Sequence, residues 1–234
     1  MRPTLVLFDI DGILLDAGGA GRAGLEESFR SVFGIEDIEG PVSRVRFAGM
    51  TDPMIIADIA REAGIPASQV EARYRELQDA YLHALRRDLD EPNPRRRVLP
   101  GVRPLLEVLT ARPDVFLGIV TGNIEEGARV KLDAFGLNGY FMDGGFASDH
   151  PERNEIARIA HERLSRRAGF RFPADRVMVI GDTEFDVLCA RANSFRAIAV
   201  ESGYVSRDRL EAARPDTLLP DLTDTAAVLA ALGL

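Results

Sequence analysis

Three short apolar runs, at residues 5–8, 115–120 and 177–180, constrain how this chain can fold, and residues 196–200 resemble a fourth. Continuous apolar runs of this length are typical of strands that are buried on both faces of a parallel sheet. A polar residue or a glycine follows each run, so each predicted strand opens into a loop at its carboxyl end. The sequence therefore predicts a parallel sheet with polar groups gathered at one edge.

Helical patterns separate these predicted strands. Apolar residues recur at helical spacing before the second run, after it and before the third, at Leu105, Leu106, Leu109, Ala128, Leu132, Phe135, Ile156, Ile159 and Leu164. Alternating strands and helices predict an α/β core domain with a Rossmann-like parallel sheet. Ligands of such sheets bind beyond the carboxyl ends of the strands, where we expect the polar groups to converge.

The segment between residues 20 and 90 breaks this alternation. It shows helical periodicity without a convincing strand, as in Leu25, Phe29 and Val32 at positions i, i+4 and i+7. Asp52 directly before Pro53 indicates a helix start with Asp52 as the N-cap.

Turn-forming residues border this helical segment, with glycines at residues 18–21 and prolines at residues 91–94. We therefore expect an α/β core domain from residues 1–17 and 95–234. An inserted α-helical cap domain is expected from residues 18–94. Two linkers of this kind would let the cap open and close.

Composition limits the partners of the chain. Its 234 residues, 46% of them hydrophobic, can bury a full core. The formal net charge of −8 repels nucleic acid and anionic membranes, so an anionic substrate needs a local positive site. The single Cys189 rules out an intramolecular disulfide and suggests a reducing compartment. We expect a cytoplasmic monomer or homodimer with no nucleic-acid or membrane partner.

Two carboxylates and a glycine, Asp9, Asp11 and Gly12, follow the first predicted strand. Taken alone, this pattern is weak, because polar turns and calcium loops share it. An EF-hand loop is disfavoured, since Leu14 and Asp16 follow instead of the Asn/Asp-rich ligands and the terminal Glu of such a loop.

The ends of the later strands add a hydroxyl at Thr121 and two carboxylates at Asp182 and Asp186. In this order, the motifs resemble those of the haloacid dehalogenase (HAD) superfamily. The helical insertion after the first motif is similar to the small (C1-type) cap of phosphoglycolate-phosphatase-like members. Ile13 departs from the usual Thr or Val of the first motif but leaves every reacting group in place.

The resemblance implies roles for the acidic residues. Asp9 is then the nucleophile and Asp11 the general acid/base. Mg²⁺ would be held by Asp9, Asp182 and the backbone carbonyl of Asp11, while Asp186 supports the site. Dehalogenation is disfavoured, because the dehalogenases that name the superfamily have no counterpart of Asp11 and need no metal.

The resemblance also implies a phosphate-binding set formed by Thr121, Gly122 and Asn123. A basic residue of the third motif completes it, and Arg153 lies at the expected place. Lys131, the only lysine among 29 basic residues, is the competitor. We prefer Arg153, because Lys131 is expected about eight residues into a helix, roughly 12 Å from its start.

Residues 46–52 resemble the specificity loop of phosphoglycolate-phosphatase-like members. Arg46 and Thr51 are its candidate specificity residues, and Arg46 is a candidate ligand for a substrate carboxylate.

We expect an Mg²⁺-dependent phosphatase that hydrolyses a small phosphomonoester, phosphoglycolate-like or a sugar phosphate, through an aspartyl-phosphate intermediate. A phosphomutase of the same superfamily is the enzymatic alternative. A non-catalytic phosphate-ligand binder is the alternative of a different class.

Overall fold

The computed structural model describes residues 2–203 and 205–234. The strands in this part of the chain are β1 (Thr4–Phe8), β2 (Leu15–Asp16), β3 (Arg97–Val98), β4 (Val115–Val120), β5 (Gly144–Gly145), β6 (Val177–Gly181), β7 (Arg196–Val200) and β8 (Thr217–Leu219). The α-helices are α1 (Ala20–Phe33), α2 (Glu39–Ser43), α3 (Asp52–Glu62), α4 (Ala67–Ala72), α5 (Tyr74–Asp90), α6 (Val102–Thr110), α7 (Glu125–Ala134), α8 (Arg153–Ala168), α9 (Glu184–Ala192), α10 (Arg207–Ala212) and α11 (Thr225–Leu232).

A six-stranded sheet forms the centre of the core. Its order is β5-β4-β1-β6-β7-β8, and each strand pairs in parallel with its neighbours. β1 lies between β4 and β6 with all five of its residues buried, as its continuous apolar run predicts. The α/β class and the four strands expected from the apolar runs are confirmed.

The sheet order brings three loop residues to one place. Asp9 directly follows β1, Thr121 follows β4 and Asp182 follows β6, and these three strands are neighbours. Parallel strands end at the same edge of a sheet, so the three side chains meet beyond that edge.

The segment between residues 20 and 90 is helical, from α1 to α5. α1 and α5 lie close together, since a Cβ added at Gly24 would be 3.1 Å from the ring of Tyr81. A residue larger than glycine at position 24 would therefore require the Tyr81 ring to shift.

α3 begins one residue earlier than the sequence predicted. Thr51 has the extended backbone of an N-cap, with φ −91° and ψ 149°, and Asp52 is already helical. The Asp52 carboxylate instead accepts the N–H of Ile124, a core residue, at 2.8 Å. The prediction that Asp52 caps its own helix is wrong, because its carboxylate is hydrogen-bonded to the Ile124 N–H of the core instead.

Two short strands connect this helical segment, residues 20–90 and called the cap segment below, to the core. β2 and β3 pair antiparallel, Leu15 with Val98 and Asp16 with Arg97. Two-residue strands carry no periodicity, so the sequence did not indicate them. The division of the chain at residues 17/18 and 94/95 stays a prediction. Among the described helices, none combines the length and the apolar character needed to cross a bilayer.

Candidate active site

Three buried carboxylates meet at the carboxyl edge of the sheet. Asp9, Asp182 and Asp186 each offer one oxygen, and these oxygens all lie within 4.8 Å of one another. Asp9 and Asp182 extend β1 and β6, whereas Asp186 lies in the first turn of α9. The first and last acidic motifs of the sequence are therefore side by side in the folded chain.

Arg153, the first residue of α8, is the cation in direct contact with this cluster. Its Nη2 lies 3.0 Å from Asp9 Oδ2 and also contacts Asp186 Oδ1. Burial works against the charge of Arg153, but Asp186 and Asp9 outweigh it and raise the pKa of the guanidinium. The side chain is therefore a permanent positive charge beside the predicted nucleophile.

Local structure uses both oxygens of Asp186. Oδ2 accepts the Thr183 N–H at 3.1 Å and the Thr183 hydroxyl at 2.7 Å, which forms a capping box at the start of α9. Oδ1 accepts from Arg153. Gly181 makes room for this arrangement, since an added Cβ would lie 2.0 Å from the Asp186 Cγ. Asp186 thus holds Arg153 and the first turn of α9 in place, and the supporting role expected of it stays a prediction.

Burial and mutual repulsion perturb the other two acids. Burial raises the pKa of Asp182 to about 8, and the charges of Asp186 and Asp9 add to the rise while Arg153 opposes it. Burial also raises the pKa of Asp9 to about 6, against the lowering effect of Arg153. The negative charge of three close carboxylates thus exceeds that of Arg153, the one cation among the described residues that contacts them. A second, divalent cation that prefers oxygen ligands, such as Mg²⁺, fits this donor set through Asp9 and Asp182.

Two glycines keep the space beside Asp182 open. Gly12 has a φ of +82°, and a Cβ there would lie 2.4 Å from Asp182 Oδ2. A Cβ at Gly203 would lie 1.4 Å from the same oxygen. A side chain at either position would displace the Asp182 carboxylate.

A second polar cluster surrounds Asp11. Lys131 Nζ lies 2.7 Å from Asp11 Oδ2 and 2.7 Å from Asn123 Oδ1. Asn123 Nδ2 donates to Asp11 Oδ2 at 2.9 Å and to Thr121 Oγ1 at 2.8 Å. The Lys131 side chain is 6% exposed and that of Asp11 is 39% exposed, so this ion pair joins a buried base to a carboxylate open to the cavity.

Both candidate cations of the third motif therefore lie in the site, on different acids. Arg153 contacts Asp9 and Asp186, whereas Lys131 contacts Asp11. The distance argument against Lys131 does not hold. Helical side chains lean toward the helix N-terminus, and the long lysine chain covers the remaining gap from within α7.

The loop after β4 offers fewer free amides than the motif suggests. The Asn123 N–H donates to Thr121 Oγ1 at 3.3 Å, and the Ile124 N–H donates to Asp52. Within the described residues, the Gly122 N–H has no acceptor, and the Thr121 hydroxyl hydrogen is likewise uncommitted. These two groups are the donors that remain for a ligand at this loop.

The cap segment contacts the same loop. The Asp52 N–H donates to the Gly122 carbonyl at 2.7 Å, and a Cβ at Gly122 would lie 2.2 Å from the Met50 carbonyl oxygen. The Thr51 hydroxyl donates to the Pro151 carbonyl at 2.9 Å. Thr51, a candidate specificity residue, is not among the residues that line the cavity. Its contact holds the cap loop against the core.

Arg46 lines the cavity, but an acid from the core faces it. Its Nη2 lies 2.8 Å from Glu184 Oε1, and its guanidinium stacks 4.9 Å from the centre of the Phe185 ring. Glu184 also pairs with Arg209. The expected role of Arg46, binding of a substrate carboxylate, would require it to leave or share Glu184.

A cavity of ≈ 460 Å³ lies between the cap segment and the edge of the sheet. Asp9, Asp11, Thr121, Gly122, Asn123, Arg153 and Asp182 line its core side. Its cap side includes Arg22, Phe47 and Tyr81, and the Arg22 guanidinium stacks 4.4 Å from the centre of the Phe47 ring. The structure thus brings the predicted core residues together around one volume of small-molecule size.

Sequence reasoning did not assign Arg22, Tyr81 or Asp52 to this cavity, and Asp52 was expected only as a helix N-cap. Lys131 was considered for the third motif but was placed too far away. Burial raises the pKa of Tyr81 well above its ordinary value, so its phenol stays neutral. The one available signal was that Lys131 is the sole lysine in an arginine-rich chain.

Comparison with known proteins agrees with this geometry. A family model described as haloacid dehalogenase-like hydrolase matches residues 3–193. The probable phosphatase IndB of Dickeya dadantii is 27% identical, over 99% of this chain and 95% of its own length. The phosphoglycolate phosphatase of Synechococcus elongatus is 29% identical, over 94% of this chain and 93% of its own.

Solved structures show the same fold. The crystal structure of CbbY from Rhodobacter sphaeroides in complex with phosphate superposes with a TM-score of 0.73 at 19% identity, and the match covers 100% of both chains. The family model spans most of the sequence, and the core with its helical insertion agrees with the solved fold. This chain therefore belongs to the haloacid dehalogenase-like hydrolase family, on its phosphoglycolate-phosphatase-like branch.

Proposed function

We propose that this chain is an Mg²⁺-dependent phosphatase that hydrolyses a small phosphomonoester through an aspartyl phosphate on Asp9. Family membership and the phosphatase names of the two relatives support a phosphatase activity. The observation that carries the assignment is the placement of Asp9. It lies at the buried tip of the central strand, beside Arg153 and Asp182, and borders the cavity that Asp11 also lines.

In the first half-reaction, an Asp9 carboxylate oxygen attacks phosphorus and forms the P–O bond of the aspartyl phosphate. The ester P–O bond breaks, and its electron pair goes to the leaving oxygen, which takes a proton from the Asp11 carboxyl. Arg153, the Gly122 N–H and the Thr121 hydroxyl balance the charge of the phosphoryl oxygens.

In the second half-reaction, water attacks the phosphorus while Asp11 accepts its proton, and the bond to Asp9 breaks to release inorganic phosphate. Asp11 thus returns to its starting protonation state. Mg²⁺, held by Asp9, Asp182 and the backbone carbonyl of Asp11, would supply the charge neutralisation that lets a carboxylate approach a dianionic ester.

The cavity limits the substrate to a small ester. Its volume of ≈ 460 Å³ accommodates the leaving group of a phosphoglycolate-like or sugar phosphate. Two arginines of the cap segment line the cavity: Arg46 pairs with Glu184, whereas Arg22 makes no ion pair with an acid in the described part of the chain. A negatively charged leaving group would therefore contact Arg22 more readily than Arg46.

Phosphate release from a panel of phosphomonoesters, with and without Mg²⁺, tests the proposal. Asp9→Asn is expected to lower kcat/KM by at least about 10³-fold, because an amide cannot form the acyl phosphate. Asp114→Asn is the matched control. Asp114 accepts the Thr4 N–H through its backbone at the opposite end of β1, so its side-chain change should leave activity unaltered.

Other results would reassign the protein. Phosphate release retained in Asp9→Asn would remove Asp9 as the nucleophile. Conversion of a sugar phosphate to its isomer without free phosphate would indicate a phosphomutase. Thermal stabilisation by phosphate esters without turnover would indicate a binding protein.

A further inference from the structure

We propose that Lys131 is a positioning residue for proton transfer, which fixes the Asp11 carboxylate so that one defined oxygen faces the leaving group. The inference rests on the proposed phosphatase function and on the assignment of proton transfer to Asp11. It gives a role to a buried cation that the phosphate-binding set does not use.

The hydrogen bonds of Asp11 are divided unequally between its two oxygens. Oδ2 accepts from Lys131 Nζ at 2.7 Å and from Asn123 Nδ2 at 2.9 Å. Within residues 2–203 and 205–234, no donor reaches Oδ1. Rotation of the carboxylate would break two hydrogen bonds, one of them charge-assisted. Oδ1 is therefore the oxygen that remains free to exchange a proton with a ligand in the cavity.

Lys131 is itself held in place. Its Nζ also donates to Asn123 Oδ1 at 2.7 Å, and a Cβ at Gly21 of the cap segment would lie 3.5 Å from it. The three partners form a closed ring, because Asn123 donates to Asp11 as well. A buried cation restrained on several sides holds its partner in one geometry, as the precise placement of a reacting group requires.

The two cations of the site act on different groups. Arg153 contacts Asp9 and Asp186, the nucleophile side, and Lys131 contacts Asp11, the leaving-group side. Loss of Lys131 should thus impair protonation of the leaving oxygen while leaving the attack by Asp9 intact. An alkoxide needs that proton to leave, whereas a p-nitrophenolate leaves readily without one. Two ester classes can therefore separate the two effects.

The experiment compares kcat/KM of the parent and of Lys131→Met on p-nitrophenyl phosphate and on the best alkyl phosphate of the panel. The kcat/KM value covers only the steps up to phosphorylation of Asp9. We expect a loss of about 10- to 100-fold on the alkyl ester, no larger than the general-acid contribution of about 10²–10⁴, because Asp11 itself is still present. The loss on p-nitrophenyl phosphate should stay within about 3-fold, and Mg²⁺ dependence should be unchanged.

Arg129→Met, on the same helix, is the matched control. Arg129 pairs with Asn138 and Glu125 away from Asp11, so both rates should match those of the parent. Asp11→Asn should show the same ester selectivity as Lys131→Met. The double variant should lose no more on the alkyl ester than Asp11→Asn alone, because both changes remove one function.

Equal losses on both esters would assign Lys131 to phosphoryl binding or to folding and would overturn the inference. An unchanged alkyl rate in Lys131→Met, or additive losses in the double variant, would overturn it too. A parent protein that cleaves no ester of either class would instead refute the phosphatase function. That result appears in the parent and is therefore distinct from a failure at Lys131.

Discussion

The stability of the Asp52→Asn variant, measured relative to that of the parent protein, should increase as the pH rises. Asp52 is buried, and desolvation raises its pKa from 3.8 to about 6, with Asp11 adding to the rise and Lys131 and the Ile124 N–H opposing it. Asparagine has the same shape and can still accept the Ile124 N–H. The substitution therefore removes a buried charge and keeps the hydrogen bond.

The sign follows from proton binding. Between pH 3.8 and about 6, the folded parent holds a proton on Asp52 that the unfolded chain has released. The stability that this bound proton contributes is fully present below the pKa of Asp52 in the unfolded chain. It is lost as the pH rises through the pKa of Asp52 in the folded state. The two pKa values differ by about 2.2, which at about 1.36 kcal/mol per unit corresponds to about 3 kcal/mol.

Urea unfolding of both proteins from pH 4 to pH 8 measures the effect. The free energy of unfolding of Asp52→Asn minus that of the parent should rise by about 2–3 kcal/mol over this range, mostly between pH 4 and pH 6. Subtraction cancels the titration of groups that the substitution leaves alone. Asp58→Asn on the same helix removes an acid that pairs with Arg61 near the surface, and its difference should stay within about 1 kcal/mol. A difference for Asp52→Asn that is flat or falls with pH would refute the reasoning.

Two further substitutions probe the core and the metal side of the site. Leu7→Ala removes a fully buried side chain of the central strand and should lower the free energy of unfolding by about 2–5 kcal/mol in urea titrations. Val108→Ala, at a partly exposed position, is the control and should change it little. A loss below about 1 kcal/mol for Leu7→Ala would contradict the prediction. Gly203→Ala places a Cβ 1.4 Å from the Asp182 carboxylate and should weaken Mg²⁺-dependent activity at least about 10-fold. Gly139→Ala, whose added Cβ meets no atom within 4 Å, is the control. Full activity of Gly203→Ala would contradict the prediction, because it would show that Asp182 can move without loss of Mg²⁺-dependent activity.

The apolar runs predicted the central strands because residues buried on both faces must be continuously hydrophobic. That signal is strong for β1, β4 and β6, because burial restricts most of their positions to apolar residues. It fails for β2, β3 and β8, which have two or three residues and obtain their pairing from neighbours already in place. Short strands at the margins depend on tertiary context more than on local pattern.

The same distinction applies to the site. Asp9, Thr121 and Asp182 were predictable because each directly follows a strand, so topology alone brings them together. Lys131 and Asp52 come from the middle of α7 and the start of α3, and their positions depend on how whole helices dock. Helix-borne contacts of this kind require side-chain direction and packing, which one-dimensional spacing does not contain.

The scarcity of lysine in this sequence has a practical consequence. Lys131 is its only lysine, and its side chain is 6% exposed, with Gly21 of the cap segment close beside it. Acylating reagents react with amines and spare guanidinium groups, so apart from the terminal amine the chain offers them one target. This amine borders the cavity beneath the cap segment, so a ligand in the cavity should slow its acylation and an outward movement of the cap segment should speed it. Mass spectrometry on the unaltered sequence can follow that rate.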